Sequence, residues 1–356
     1  MNILKALGML AVIGGHSGIN FLPWFPVYSF HMPLFMFISG YFFHDKPFLT
    51  FLRKTGKRLL LPFLLWNFFF GAICTVLLKN GVIAFGTELS LCSFLIEPFI
   101  SGHQFIFNLA TWFVGALIIV QGVYWLLYRL CKKNMFFLTV VSFIAYFISL
   151  YLAFHHYYPN DGNVWLVIER TCFGICFYHL GLLYKLFIER WDSFSITRIA
   201  VVVCLNGILL GFVSQYISFG MLYMNFSSHA ILLPLITSLT GIYLYMQVAE
   251  LLKDKVPRNS FLGFIGENTF SFMALHIFFF WILNTMFLWM KQSQLFPLRS
   301  FDYDHYMHDV YYRITEHAPM NDGLYFLAGL IGSGICIYVW KRYIDKRIMA
   351  IAKQIF

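Results

Sequence analysis

The chain has 356 residues, 60% of them hydrophobic and only 12% charged, about half the roughly 25% of an ordinary soluble domain. Its 43 Phe, 21 Tyr and 9 Trp exclude a soluble enzyme, a secreted disulfide scaffold and a disordered chain. In so apolar a chain a net charge of +9 points to loops sorted by the positive-inside rule, not to nucleic acid.

A hydrocarbon core of about 30 Å takes about 20 apolar residues per helix. In chain order such runs lie near 3–22, 26–43, 59–78, 105–128, 135–154, 163–184, 199–217, 230–250, 264–290 and 321–340. They predict an all-α, polytopic integral membrane protein of about ten transmembrane helices, forming one domain over residues 1–356. The runs are continuous, without the alternation of a membrane β-barrel. Ten spans put alternate loops on opposite sides. One side then collects 20 Lys and Arg, the other 4, with Arg170 inside the sixth run. That asymmetry predicts both termini in the cytoplasm. The seven cysteines are scattered and form no disulfide framework.

Ionisable residues within spans are costly and therefore mark candidate sites. His16 lies in the first run, His31 at the outer end of the second and His276 in the ninth. His16 follows Lys5 by eleven residues, about 16 Å along a helix, which puts it past the mid-plane if Lys5 marks the cytoplasmic interface. A buried histidine serves either as a hydrogen-bonded packing residue or as a reactive base. The neighbouring Gly15 and Pro33 loosen the helices around His16 and His31 and favour function. Lys46, Arg53, Lys54, Lys57 and Arg58 form a basic loop that either sets topology or docks phosphates. Glu169 and Arg170 are an adjacent pair in the sixth run, read as an interhelical ion pair or as an acceptor-binding group. Cys172, Cys176 and His179 share a helical face by spacing, as ordinary packing or as ligands of a soft metal. The outer stretch 291–320 holds Asp302, Asp304, Tyr306, Tyr311, Tyr312, Glu316 and His317. Carboxylates beside aromatic faces suit glycan contact, metal binding or simple cover of the outer mouth.

Lys5-Ala6-Leu7-Gly8 leading to Gly15-His16-Ser17, and the run from Phe30-His31-Met32-Pro33 through Ser39-Gly40 to Phe43, resemble the first two spans of acyltransferase family 3. Arg58 before Pro62-Phe63, Trp112-Phe113, and Gly266-Glu267-Asn268 leading to His276 are similar to its later motifs. The second-span sequence is most similar to the fucose 4-O-acetylase-like and intercellular-adhesin-biosynthesis branches. The resemblance implies a membrane O-acyltransferase. It would move an acyl group, probable acetyl, from cytoplasmic acyl-coenzyme A (acetyl-CoA as co-substrate) to a hydroxyl of a surface polysaccharide or lipid-linked glycan. In that reading His16 is the base, and Lys5, Arg53 and Arg58 meet the donor. His31, Ser39, Trp112, Glu169, Arg170 and His276 bind the acceptor or support the site. Expected partners are acyl-CoA, a glycan or lipid-linked sugar and membrane lipid, with no nucleic acid, no metal and no permanently bound cofactor; the expected location is the cell membrane. The rival reading is a polytopic glycan exporter or flippase, which shares the topology but needs no base.

Overall fold

The first helix, α1, runs from Asn2 to Ser17 and ends because Gly18 takes a left-handed conformation (φ 92°), its N–H turning back to the Gly14 and Gly15 carbonyls. The computed structural model describes residues 1–22, 24–102, 105–155, 163–213, 218–226, 230–293, 301–314 and 318–345. After a short 3-10 turn at Val27–Ser29, α2 covers His31–Tyr41, with Pro33 in its first turn. The chain continues through α3 (Phe48–Lys79), α4 (Leu91–Ile100), α5 (Ile106–Leu130), α6 (Met135–His155) and α7 (Val164–Trp191). Next come α8 (Ile196–Val213), α9 (Leu233–Leu252), α10 (Phe261–Glu267), α11 (Thr269–Gln292), α12 (Tyr303–His308) and α13 (Met320–Tyr343). The one sheet among the described residues is a hairpin of two-residue antiparallel strands, Phe219–Gly220 (β1) and Asn225–Phe226 (β2). The fold is all-α and polytopic, as the apolar runs predict.

Seven of these helices, α3, α5, α6, α7, α9, α11 and α13, are long and apolar enough to cross a membrane. Apolar helices also form in the three other predicted runs, but they are shorter than expected. At 16 and 11 residues, α1 and α2 rise only about 24 and 16 Å. The reason lies in the segment between them. Residues 18–30 are apolar enough to count toward a span, yet 18–22 and 24–30 leave the α-helical path, so their backbone polar groups need partners. Remote side chains supply them. Arg313 donates to the Ser17 carbonyl and Asn206 to that of Trp24. Ser238 reaches the Ser29 carbonyl at 2.8 Å, and His31 reaches that of Val27 at 2.6 Å. Phe25, Val27 and Phe30 are buried in the same segment.

Helix α1 is the hub, packing against α2, α9, α10, α11 and α13, while α2 lies along α7 and α7 along α6. The α2–α7 approach is close enough to require glycine on both sides. A Cβ on Gly40 would overlap the Tyr178 carbonyl, and one on Gly181 would overlap that of Phe37. Small residues at such contacts replace the hydrophobic driving force that lipid does not provide between helices. A π-helical turn at Gly56–Leu60 lies just before Pro62 in α3, where the proline ring forbids the ordinary backbone bond.

Candidate active site

The early end of α1 and the late start of α2 leave a cavity of about 210 Å³ between the helices. His16 from α1 and His31 from α2 line it, with Tyr28 from the linker between them. Trp112 enters from α5, Met273 from α11, Met221 to Tyr223 from the hairpin and Tyr311 from the stretch after α12. The Tyr28 ring stands 6.4 Å from His16 and 5.2 Å from His31, and the Tyr311 ring stands 5.8 Å from His16.

Hydrogen bonds fix which nitrogen of each imidazole is open. His276, on α11, has Nδ1 3.0 Å from the Phe272 carbonyl, one helical turn earlier. A carbonyl only accepts, so Nδ1 carries the proton and the Nε2 of a neutral His276 is a bare lone pair. His16 Nδ1 lies 2.7 Å from that Nε2, with the two rings within 4° of parallel. His16 therefore donates from Nδ1 and keeps its own Nε2 as an acceptor. His31 follows the same logic, because its Nδ1 donates to the Val27 carbonyl. Among the described residues no carboxylate lines the cavity, so the neutral form of both rings is the one burial tolerates. Neither Nε2 has a protein partner among the described residues, and neither is sealed from the cavity.

The roof is held by buried polar contacts. Arg170 donates to the carbonyls of Ile100 (3.1 Å), Ser101 (3.2 Å) and Leu222, and its guanidinium lies 4.8 Å from the centre of the Trp112 ring. It therefore ties the hairpin tip and the chain before α5 to α7, behind Trp112. Asn284 donates to the Tyr312 carbonyl at 2.8 Å, and the Tyr325 hydroxyl accepts from the Ile314 N–H at 3.1 Å. Arg313 joins the Ser17 carbonyl to Asp322, which it meets at 2.9 Å. These bonds press Tyr311 over His16. Its accessible face is turned to the cavity, and its protein surroundings push the phenol well above its ordinary pKa, so it is a hydroxyl at neutral pH.

The structure thus gathers His16, His31, Trp112 and Tyr311 at one cavity and sets His276 beside His16. Arg170 stands behind the wall. Glu169 is 2% exposed, its Oε1 has no hydrogen-bond partner, and it does not line the cavity. Ser39 is half-buried near the other end of α2, away from the cavity. Tyr312 turns inward and accepts from the Asp302 N–H at 2.7 Å. Glu316 and His317 lie outside the described residues. Tyr28 and Tyr223 are cavity residues that sequence reasoning missed; Tyr28, three residues before His31, had a local signal and Tyr223 had none. The Cys172, Cys176 and His179 face is packing. No group of three metal-ligating side chains forms among the described residues, and both His179 nitrogens are occupied by Tyr124 and Thr139 at 2.8 Å.

At the far end of α1, Lys5 lies 5.0 Å over the Phe42 ring and feels the repulsion of Arg58. Burial and the adjoining Lys54 ammonium hold Lys46 below the ordinary lysine range, with Arg58 adding to the effect. The nearby Asp45 does not neutralise this group, because Arg129 and Lys133 take its carboxylate at 2.5 and 2.6 Å. Among the described residues no ion pair involves Lys5, Lys46, Arg53, Lys54, Lys57 or Arg58; Arg53 is exposed on the first turns of α3. The basic residues are left uncompensated.

Seven membrane-length apolar helices around a buried, partly open imidazole pair define a multi-pass membrane protein. The family model of acyltransferase family 3, an acyltransferase domain, matches residues 1–290, and the chain belongs to that family. It is accordingly a membrane acyltransferase. No curated protein and no solved structure matches it.

Proposed function

We propose that the protein is an O-acyltransferase of the cell membrane, with both termini cytoplasmic, that moves an acetyl group from acetyl-CoA to a hydroxyl of a surface polysaccharide or its lipid-linked precursor. The observation that carries this reading is the open Nε2 of His16. A sugar hydroxyl is a weak nucleophile, and an imidazole whose other nitrogen is fixed is a suitable general base. As the hydroxyl oxygen bonds to the thioester carbonyl carbon, its proton passes to His16 Nε2. Collapse of the tetrahedral intermediate breaks the carbon–sulfur bond, and the imidazolium returns the proton to the departing thiolate. Coenzyme A and the O-acyl ester result.

Lys5, Arg58 and their basic neighbours supply charge for the donor phosphates at the opposite end of α1, about 16 Å from His16 by helical rise. The acyl-bearing arm bridges that distance. The second-span resemblance to the fucose 4-O-acetylase-like branch supports a sugar as acceptor. A glycan exporter has no use for an imidazole held as a base. The test is radiolabelled acetyl-CoA with the protein in proteoliposomes and the host's extracted glycan lipids. Label should enter an alkali-labile ester, and His16→Ala should not transfer it. Transfer by His16→Ala at the wild-type rate would overturn the assignment.

A further inference from the structure

The cavity has an unusual inventory for its volume. Among the described residues that line it there is no Asp, Glu, Lys or Arg, and no Ser, Thr, Asn or Gln. The polar side-chain groups it offers are two imidazole nitrogens, the Trp112 indole N–H and the phenols of Tyr28 and Tyr311. Both imidazole nitrogens are acceptor-only, because Val27 holds the one tautomer and the Phe272–His276 chain holds the other. Each therefore requires a donor from the ligand. The two guanidinium groups close by are not in the lining and are committed elsewhere: Arg170 to the Ile100, Ser101 and Leu222 carbonyls behind Trp112, and Arg313 to the Ser17 carbonyl and the Asp322 carboxylate.

Resting on the acyltransferase reading, we infer that the group acylated is an uncharged polyol, a neutral sugar ring with at least two free hydroxyls. His16 receives the proton of one, and His31 accepts a hydrogen bond from a second. A carboxylate or phosphate entering this cavity would lose its hydration and find no cationic side chain in the lining, the nearby Arg313 being already paired with Asp322. A substrate with one hydroxyl would satisfy His16 and leave the buried His31 nitrogen unpaired, a penalty that makes polar sites discriminate strongly. Hydroxyls are the neutral groups that donate to the imidazoles and can also accept from the phenols. The faces of Tyr28, Tyr311 and Trp112 suit the C–H faces of the ring. At about 210 Å³ the space is below the roughly 300–1,000 Å³ of drug-sized sites and fits one ring, not an oligosaccharide. His31 is thus the residue that determines acceptor class.

Proteoliposomes with radiolabelled acetyl-CoA test this on octyl hexopyranosides, the matching octyl uronides and octanol. Hexosides should be acylated with kcat/KM at least tenfold above both the uronides and octanol. His31→Phe should erase the preference for hexosides over octanol, the hexoside KM rising at least tenfold more than the octanol KM. His31→Gln, which can serve the Val27 carbonyl and still present an acceptor, should recover much of the preference and reports on folding. Uronides acylated as well as hexosides, or a His31→Phe loss equal for every acceptor in a protein that accumulates normally, would overturn the inference while the acyltransferase reading stands. No acyl transfer to any acceptor or to extracted glycan lipid would overturn both.

Discussion

Among the described residues four histidines are held between helices, and they live in two kinds of environment. His179, between α5, α6 and α7, is fully enclosed, and both its nitrogens are paired, with Tyr124 and with Thr139. Thr139 already donates to the Met135 carbonyl, so it accepts from His179 Nε2, and Tyr124 must donate to Nδ1. Nothing is left over. His16 and His31 each spend one nitrogen on the protein and turn the other to a cavity, while His276 spends both to fix His16. Burial alone therefore does not make a histidine a reagent. What separates the two regions is whether the fold leaves one lone pair unspent and fixes which one it is.

The sharpest way to break that comparison is to remove the unspent lone pair. General-base catalysis contributes roughly 10²–10⁴-fold, so His16→Ala should lower acyl transfer by that factor or more. Membrane accumulation should be unchanged, since the side chain packs against a cavity. Initial rates of label transfer at matched protein levels give the measurement.

A smaller effect is expected from the residue that holds the base. His276→Phe removes the acceptor that keeps the His16 proton on Nδ1, and losing the correct tautomer should cost about 10²-fold in kcat with little change in acceptor KM. His276→Gln still offers an oxygen to His16 Nδ1 and should restore part of the rate. If Phe and Gln are equally impaired, His276 fills space and does not orient.

The opposite outcome is expected in the other environment. His179→Phe strands the Tyr124 hydroxyl and the Thr139 hydroxyl oxygen, a loss of about 1–3 kcal/mol that should appear as a lower Tm in detergent. Kinetic constants of the surviving protein should match the wild type. A change in kcat without a change in Tm would give His179 a role in the chemistry.

Much of this contrast was legible in the sequence, and some of it was not. Continuous apolar runs give the all-α membrane fold, and helix-breaking neighbours single out His16 and His31 as departures from a plain span. Hydropathy could not say that residues 18–30 leave the helix, because an apolar linker and an apolar helix score alike. The linker is held because Asn206 and Ser238, 182 and 209 residues away from their carbonyl partners, satisfy its backbone, while Arg313, 296 residues away, caps the last carbonyl of α1. The His16–His276 bond joins residues 260 apart, so no local pattern announces it, although a histidine one turn after a helical carbonyl is a readable hint of tautomer. Tyr311 and Tyr312 show the limit most simply. They are neighbours with the same side chain, and tertiary packing alone decides that one faces the cavity and the other packs inward against Phe301 and Tyr306.

The smallest effect concerns the basic end, where charges are left unpaired as lone pairs are left unspent around His16. If Lys5 and Arg58 meet the donor phosphates, replacing either with Gln should raise the acetyl-CoA KM. Exposed ion pairs contribute about 0.2–1 kcal/mol, so a rise of roughly 1.4- to fivefold is expected for the exposed Arg58. Lys5 is half-buried against Phe42 and less screened, and its substitution should have the larger effect of the two. S-acetyl-pantetheine lacks the nucleotide phosphates, so its KM should be the same in wild type and both variants. Added salt should raise the wild-type acetyl-CoA KM toward that of Arg58→Gln. An acetyl-CoA KM untouched by both substitutions would return the basic loop to a purely topological role, because charge that orients the chain in the membrane need not touch a ligand.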